Sequence, residues 1–168
     1  GAASEGISEN SVQLTWNGAR EQISNLLQEN KECLLEQAIA GTDITVPVLG
    51  GETPIILPCM EEIATTPFGV AVREHKLLQA AGRERVVLAE SHLIEKIHQY
   101  IKQLLTVITP FDYLRVDFRL SADRQQLFLI EVNIACNLAS YAAVSQAAQQ
   151  VGMTQRDVLQ HIISHSLA

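Results

Sequence analysis

Hydrophobic positions recur at helical spacing in four segments of the chain, which predicts four helices. The clearest has a broad apolar face that follows a cap at Ser91 and stops before Pro110. An earlier helix is capped by Asn17, because an Asn side chain can accept hydrogen bonds from the first free backbone N–H groups. This earlier helix ends near Asn30.

Two shorter helices are predicted at the carboxy-terminal end of the sequence. The first covers residues 140–150, and Gly152 can close it in the left-handed conformation. The second begins at Thr154, which forms a capping box with Asp157 three residues later. We expect this last helix to bury its apolar residues Val158, Leu159, Ile162 and Ile163.

Shorter runs of β-branched and apolar residues predict strands. Residues 44–49 form the strongest of them, and Gly50-Gly51 indicates a hairpin turn into a proline-rich return strand at a sheet edge, 54–58. Residues 64–85 show no clear pattern and are predicted to be mostly loop. Further strands are predicted over 11–14, 33–35, 86–89, 114–120 and 127–132. Because neighbouring strands form hairpins, the predicted fold class is α+β, an antiparallel sheet covered by helices.

Composition narrows the class of protein. The 168 residues fit one domain, and a hydrophobic share of 47% argues against bulk disorder. A net charge of -7 argues against a nucleic-acid partner, and no apolar run approaches the ~20 residues of a membrane span. With no signal-peptide pattern and no metal-binding spacing, the cysteines are expected to be reduced core thiols of a cytoplasmic protein: Cys33, Cys59 and Cys136.

Candidate chemistry is concentrated in the two strands near residue 120. Side chains alternate along a strand, so Arg115 and Asp117 share one face, as do Glu131 and Asn133. If the two strands form a hairpin, all four side chains converge. Two carboxylates and an amide oxygen are hard donors that suit Mg²⁺ bridging to substrate phosphates. An adjacent Arg can neutralise charge on a transferring phosphoryl group.

The same residues also fit a simpler interpretation, a solvated hairpin face with an ordinary Arg–Asp ion pair. The apolar neighbours Ile130 and Val132 favour the site, because a buried opposite face would fix the register of the strand.

Four segments that include these strands resemble the carboxy-terminal part of the D-alanine–D-alanine ligase-like ATP-grasp enzymes: GAASEGI, LLEQAIAGTDITVPVLG, RVDF followed by LIEVN, and VGMTQRDVLQHII. The resemblance spans the chain from Ala2 to Leu167. It implies an ATP-grasp carboxy-terminal subdomain that uses ATP with Mg²⁺, or Mn²⁺ in its place. Such enzymes phosphorylate a small-molecule carboxylate, and an amine then attacks the acyl phosphate to give an amide or peptide bond.

The resemblance also implies roles for single residues. The metal ligands would be Asp117, Glu131 and Asn133, and Arg115 would stabilise the charge of phosphoryl transfer. The nucleotide would contact two groups of residues. The adenine edge would contact Glu36 and the backbone of Gln37 to Ile39, and the ribose would contact Asp43. The phosphates would contact Ser4 and Gly6 of the small loop and Lys76.

Two departures from the family pattern shape the expected function, and the first concerns the acceptor site. The Pro-Gly turn that follows EVN in the D-alanine ligases is replaced by Ile134-Ala135-Cys136-Asn137, where Asn137 can adopt a positive φ. The acceptor-binding serine falls at Ala142, with Ser140 and Tyr141 as nearby polar candidates, so we expect an acceptor other than D-alanine.

The second departure is that residues 1–168 start at the phosphate-covering loop and form a partial ATP-grasp domain. The chain would then need the amino-terminal domain of the same protein, would be inactive alone, and could form a homodimer. Neither a nucleic acid nor a membrane is an expected partner. Two alternatives stay open: a truncated noncatalytic module that binds nucleotide weakly or acts as a scaffold, and an unrelated α+β domain in which both motifs are coincidental.

Overall fold

The computed structural model describes residues 11–29, 31–63 and 84–167. The helices in these ranges are α1 (Trp16–Gln28), α2 (Ser91–Leu105), α3 (Ala143–Gln150) and α4 (Gln155–Ser166). The strands are β1 (Gly41–Leu49), β2 (Ile55–Ile56), β3 (Met60–Glu62), β4 (Arg85–Val87), β5 (Tyr113–Ser121) and β6 (Leu127–Asn133). Over the same ranges, no helix has the length and apolarity that crossing a bilayer requires.

These strands form one antiparallel sheet in the order β4–β3–β1–β5–β6, and β2 pairs with the end of β1. The central pair is β1 with β5, which stay in register from Gly41 opposite Ser121 to Leu49 opposite Tyr113. The predicted return strand after Gly50-Gly51 is present, although only Ile55–Ile56 pairs. The predicted α+β class, an antiparallel sheet covered by helices, is confirmed.

One face of the sheet is apolar along its whole central pair, and α2 covers it. Alternate residues of β1 and β5 point to this face because side chains alternate along a strand. Each large aliphatic side chain buried here contributes about 1.5–3 kcal/mol to folding. The buried residues of this first core include Ile44, Val46, Val48, Leu93, Ile97, Ile101, Leu114, Val116, Phe118 and Leu120.

The opposite face of the sheet is divided between a covered half and a polar half. Helices α3 and α4 cover the half near Leu49 and Tyr113, where Ala147 and Ala148 are fully buried. Small side chains let α3 approach β1 closely. The second core there contains Leu49, Leu57, Met60, Cys136, Val144, Ala147, Ala148 and Val158. The other half of this face carries charged side chains from four strands: Asp43, Glu62, Arg115, Asp117, Arg119 and Glu131.

Strand β6 contains a bulge at Ile130. Leu129 pairs with Phe118 and Glu131 pairs with Asp117, so Ile130 has no partner on β5. The Ile130 side chain is 59% exposed, which contradicts the prediction that it lies buried opposite the site. The extra residue shifts the alternation by one, and this places Glu131 on the polar face.

Two predicted helix caps are wrong, and two other predictions about helix ends are confirmed. Helix α1 is capped by Thr15, whose Oγ1 accepts from the Gly18 N–H at 3.2 Å, and Asn17 lies inside the helix. Ser91 is the first residue of α2 rather than its cap. The capping box predicted at the start of α4 is formed, and Gly152 has a φ of +78°.

Two predicted strands are absent. Residues 11–14 and 33–35 are not strands, and no strand of the described sheet pairs with either segment. A local apolar run does not form a strand unless a neighbour accepts its backbone hydrogen bonds. Leu34 is accordingly 81% exposed.

Some predicted core residues are exposed. Helix α4 contacts the second core through Val158 and Ile162, so Leu159 and Ile163, one position further round the helix, face outward. Cys33 is an exposed thiol, which corrects its prediction as a core residue. Cys59 and Cys136 are buried free thiols as expected, and burial raises the pKa of Cys59 to about 12.

Candidate active site

The polar half of the sheet brings together the residues that sequence analysis predicted to converge. Arg115 on β5 lies opposite Asn133 on β6, and Asp117 lies opposite Glu131. All four side chains project from the face away from α2, because Val116 and Phe118 between them point into the first core. The hairpin therefore forms the predicted cluster.

Asp117 is at the centre of this cluster. The Arg115 Nε donates to Asp117 Oδ1 at 2.8 Å, and Arg115 Nη2 donates to Oδ2 at 2.6 Å. Thr45 on β1 donates its hydroxyl to Oδ1 at 2.6 Å. Such paired, charge-assisted bonds hold the carboxylate plane in one orientation. Thr45 was not predicted, since it reaches Asp117 only because β1 lies beside β5.

Arg115 is a fixed positive charge at the edge of the cluster. Burial opposes its charged form, but the hydrogen bond and charge of Asp117 outweigh burial and raise the pKa of the guanidinium. Its Nη2 also lies 3.8 Å from Glu131 Oε1. The guanidinium therefore stays charged beside both carboxylates at any physiological pH.

Asn133 connects the two carboxylates. Its Nδ2 donates to Asp117 Oδ2 at 3.1 Å and to Glu131 Oε1 at 2.9 Å. The amide group therefore lies within hydrogen-bond distance of both acids. A rotation of the amide would present its oxygen to the same point. Two carboxylates and an amide oxygen around one point fit Mg²⁺, which prefers oxygen ligands and keeps some for water or phosphate.

This donor set contains only two acidic residues. Among the described residues, no group of three or more His, Cys, Asp and Glu side chains could hold a metal ion. An Asp, a Glu and an Asn leave several coordination positions to other ligands, as in sites where Mg²⁺ is shared with substrate phosphates.

Two of the residues expected at the nucleotide, Ile39 and Asp43, contact Arg119 on the same face, toward the start of β1. Glu36 and Gln37 are exposed in the irregular segment 31–40, and Ile39 is half-buried where that segment enters the sheet. Asp43 follows on β1 and pairs with Arg119 on β5. The predicted adenine and ribose contacts therefore adjoin the Asp117 cluster along the sheet.

Arg119 is a residue of this region that sequence analysis missed. Its side chain is buried, its Nε donates to the carbonyl of Ile39 at 2.9 Å, and its Nη1 lies 2.7 Å from Asp43 Oδ1. The signal in the sequence was an Arg two positions after Asp117, on the same strand face. Its partners, however, are far away in the sequence.

The remaining predicted phosphate contacts, Ser4, Gly6 and Lys76, lie outside the described residues. Their roles stay predictions.

The loop after β6 adopts a turn different from the one expected. Asn137 does not have a positive φ; its Oδ1 instead accepts from the N–H of Ala139 at 2.8 Å. Cys136 is buried beneath the turn, and burial raises the pKa of its thiol despite the nearby charge of Arg115. Ala142 is buried and carries no group that could bind an acceptor.

Arg85 holds this loop against the sheet. Its Nε donates to Glu62 Oε1 at 3.0 Å, and its Nη1 donates to Gln146 Oε1 at 2.9 Å and to the carbonyl of Tyr141 at 3.4 Å. The prediction that Arg85 lies in a loop is wrong, because it is the first residue of β4. Only the pairing of β3 with β4 brings it opposite Glu62.

Comparisons with known proteins identify the family of this chain. The family model of the D-ala D-ala ligase C-terminus matches residues 3–164. The D-alanine–D-alanine ligase of Carboxydothermus hydrogenoformans is 23% identical over 144 residues, which are 84% of this chain and 45% of that protein. The ligase of Bordetella petrii is 30% identical over 140 residues, 80% of this chain and 41% of that protein. The chain thus spans less than half the length of these relatives.

Solved structures show the same fold. The D-alanine–D-alanine ligase from Bacillus anthracis complexed with ATP superimposes with a TM-score of 0.68 at 18% identity, over 91% of this chain and 47% of that one. The VanG D-Ala:D-Ser ligase from Enterococcus faecalis has a TM-score of 0.58 at 15% identity, over 77% of this chain and 37% of that one.

The family match excludes an unrelated α+β domain in which both motifs are coincidental. The motifs RVDF and EVN lie in one paired hairpin, inside the matched residues. The chain belongs to the family of D-alanine–D-alanine ligase C-terminal domains, and it forms the carboxy-terminal portion of an ATP-grasp fold.

Proposed function

We propose that this chain is the carboxy-terminal ATP-grasp part of a carboxylate–amine ligase that uses ATP and Mg²⁺. The observation that carries the proposal is the cluster on the β5–β6 hairpin, where Arg115, Asp117, Glu131 and Asn133 share one face. Arg115 is held to Asp117 by two short bonds, and Asn133 joins the carboxylates of Asp117 and Glu131.

The proposed reaction has two steps. A carboxylate oxygen of the first substrate attacks the γ-phosphorus of ATP, the bond to the β–γ bridging oxygen breaks, and ADP leaves. An amine nitrogen then attacks the acyl carbon, loses a proton, and expels inorganic phosphate. Positioning and charge stabilisation account for most of the catalysis in phosphoryl transfer.

Asp117, Glu131 and Asn133 would hold Mg²⁺, which when bound neutralises charge on the ATP phosphates. Thr45 and Arg115 fix the carboxylate of Asp117 before any ligand arrives, whereas the amide of Asn133 has to rotate to present its oxygen. Arg115 is placed to offset the negative charge that develops as the phosphoryl group moves.

We further propose that the acceptor amine is not D-alanine. Ala142 takes the place of the acceptor-binding serine, and it is buried without a polar atom in its side chain. The loop 134–142 is held by Asn137 and Arg85 in a turn without glycine, so a substrate cannot approach its backbone as closely as a Pro-Gly turn would allow. A cytoplasmic location is part of the same proposal, because Cys59 and Cys136 are free thiols.

The decisive experiment uses the complete protein that contains this chain. It is incubated with Mg·ATP, single candidate carboxylates and hydroxylamine, which traps an acyl phosphate as a hydroxamate without the natural amine. We expect hydroxamate and ADP in equal amounts with one or more carboxylates, and no dipeptide from D-alanine alone. Arg115→Ala provides the matched control, which should lose hydroxamate formation.

The alternative, a noncatalytic module that binds nucleotide, predicts a different result. Asp117 already has hydrogen-bond donors from Thr45, Arg115 and Asn133, as a purely structural carboxylate would. Saturable Mg·ATP binding with no hydroxamate from any carboxylate would support the module and contradict the ligase.

A further inference from the structure

Arg119 connects two parts of the proposed nucleotide site that belong to different segments. It lies on β5, on the same face as Arg115 and Asp117, and it is 5% exposed. Its Nε donates to the carbonyl of Ile39 at 2.9 Å, and its Nη1 donates to Asp43 Oδ1 at 2.7 Å. One guanidinium therefore holds both the backbone before β1 and a carboxylate on β1.

The segment before β1 depends on contacts of this kind. Residues 31–40 have no regular secondary structure, and most of their side chains are exposed. The Ala40 carbonyl accepts from the N–H of Ala122 at 2.8 Å, which fixes the point where the segment enters the sheet. One residue earlier, the carbonyl of Ile39 is held by Arg119.

The choice of arginine is informative because a buried cation is costly. The free-energy cost of removing a guanidinium from water is offset only when its donors have well-placed partners. The planar fork of arginine fixes two acceptors relative to each other, which the single ammonium of lysine cannot do. At Arg119 the two acceptors are the Ile39 carbonyl and the Asp43 carboxylate, and these lie in the expected adenine and ribose contacts.

We propose that Arg119 is a positioning residue for the nucleoside of ATP. It orients the backbone around Ile39 toward the base and Asp43 toward the ribose, and it does not touch the phosphates. This inference rests on the proposed function, because it requires that ATP binds at this face. It goes further by assigning the alignment of the base and sugar contacts to Arg119, which is on the same strand as Asp117.

A comparison of two ligands separates this role from a general structural one. Inorganic tripolyphosphate has the charge and metal-binding groups of ATP but no base and no ribose. Loss of the Arg119 fork should weaken ATP binding and leave tripolyphosphate binding unchanged. A general loss of structure would weaken both ligands together.

The experiment measures the dissociation constants of both ligands by calorimetry, with Mg²⁺ in excess, for the protein and three variants. For Arg119→Met we expect the Kd of ATP to rise about tenfold, the equivalent of one lost hydrogen bond to a charged group. The Kd of tripolyphosphate should not change. Arg119→Lys should fall between, because it keeps the charge and loses the fork.

Arg124→Met is the matched control. Arg124 lies in the turn of the same hairpin and pairs with Glu61 and Glu90. Glu61 lies opposite Ile44, so its side chain is on the other face of the sheet from Asp43. Loss of Arg124 removes an arginine with two acidic partners from the same element. We expect the ratio of the two dissociation constants to stay at the value of the unmodified protein.

The outcomes distinguish the inference from the function on which it rests. If the unmodified protein binds ATP and Arg119→Met binds both ligands equally well, or loses both equally, the positioning role is wrong and the proposed function stands. If the unmodified protein binds neither ligand with Mg²⁺, the proposed function fails and the inference fails with it. A selective loss of ATP affinity in Arg119→Met, absent in Arg124→Met, supports the inference.

Discussion

Glu131 on β6 lies directly opposite Asp117 on β5, and it does so because Ile130 is an extra residue in β6. If Ile130 were paired in the ladder instead, strict alternation from Leu129, which lies opposite Phe118, would turn Glu131 toward the face that carries the first core. The bulge thus separates an apolar stretch of β6 from a polar stretch and creates the pair of carboxylates.

The bulge can be tested by deleting Ile130. The deletion joins Leu129 directly to Glu131, so regular alternation keeps Leu129 opposite Phe118 and Glu131 opposite Asp117 without a bulge. We therefore expect Mg·ATP to stabilise the deletion variant as it stabilises the unmodified protein. Ile130→Thr is the control, because the side chain is 59% exposed and the bulge is kept. That substitution should change stability by no more than about 0.5 kcal/mol. A deletion variant that Mg·ATP no longer stabilises, while Ile130→Thr is still stabilised, would contradict this register.

The metal ligands can be tested by removing one charge at a time. Asp117→Asn or Glu131→Gln should abolish the rise in melting temperature that Mg·ATP produces, because the ligand shell loses a carboxylate. Glu95→Gln, on the exposed side of α2, is the control and should keep the full rise. An unchanged rise in both site variants would count against the metal site.

Arg115 should act on turnover more than on affinity. In the complete protein, Arg115→Ala should lower kcat while the KM for ATP changes little, because the guanidinium is needed most as charge develops in the transition state. Steady-state kinetics across ATP concentrations measure both constants. An intact kcat would rule out the assignment.

Gly41 should resist substitution far more than Gly152, although both have positive φ values of +152° and +78°. A Cβ added at Gly41 would lie 1.9 Å from the Leu120 carbonyl oxygen, whereas none of the atoms around Gly152 lies within 4 Å of such a Cβ. Gly152→Ala should cost about 1–2 kcal/mol from its backbone conformation alone. Urea denaturation should show a larger loss for Gly41→Ala, and equal losses would contradict the predicted clash.

The capping box of α4 should contribute a stability that depends on pH. Hydrogen bonds from the side chain and backbone of Thr154 lower the pKa of Asp157 in the folded protein. A lowered folded pKa means that the unfolded chain binds more protons, so stability rises with pH through this range. The contribution of Asp157 to stability is complete above about pH 4, near the ordinary pKa of Asp. It is lost as the pH falls through the lower pKa that Asp157 has in the folded protein.

Urea denaturation of the protein and Asp157→Asn at a series of pH values measures this contribution. The difference in free energy of unfolding should be constant near neutral pH and should shrink below about pH 4. A difference that stays the same down to pH 2 would show that charge on Asp157 does not matter for the cap.

Local patterns in the sequence determined much of this protein. The apolar face of α2 and the cap of α4 follow from residues within a few positions of each other. The shared face of Arg115 and Asp117 follows from alternation along a single strand, and so does that of Glu131 and Asn133. Such local patterns were sufficient for the fold class, and four segments that include the motifs on this hairpin were sufficient for the family resemblance.

Contacts between distant segments were decided only by the tertiary structure. The bulge at Ile130 depends on β5 as a partner, and residues 11–14 and 33–35 are not strands because no strand of the described sheet pairs with them. Arg119 reaches Ile39 across eighty positions of sequence. Backbone ladders and guanidinium contacts need a partner in space, and a local pattern of hydrophobicity does not specify which partner that is.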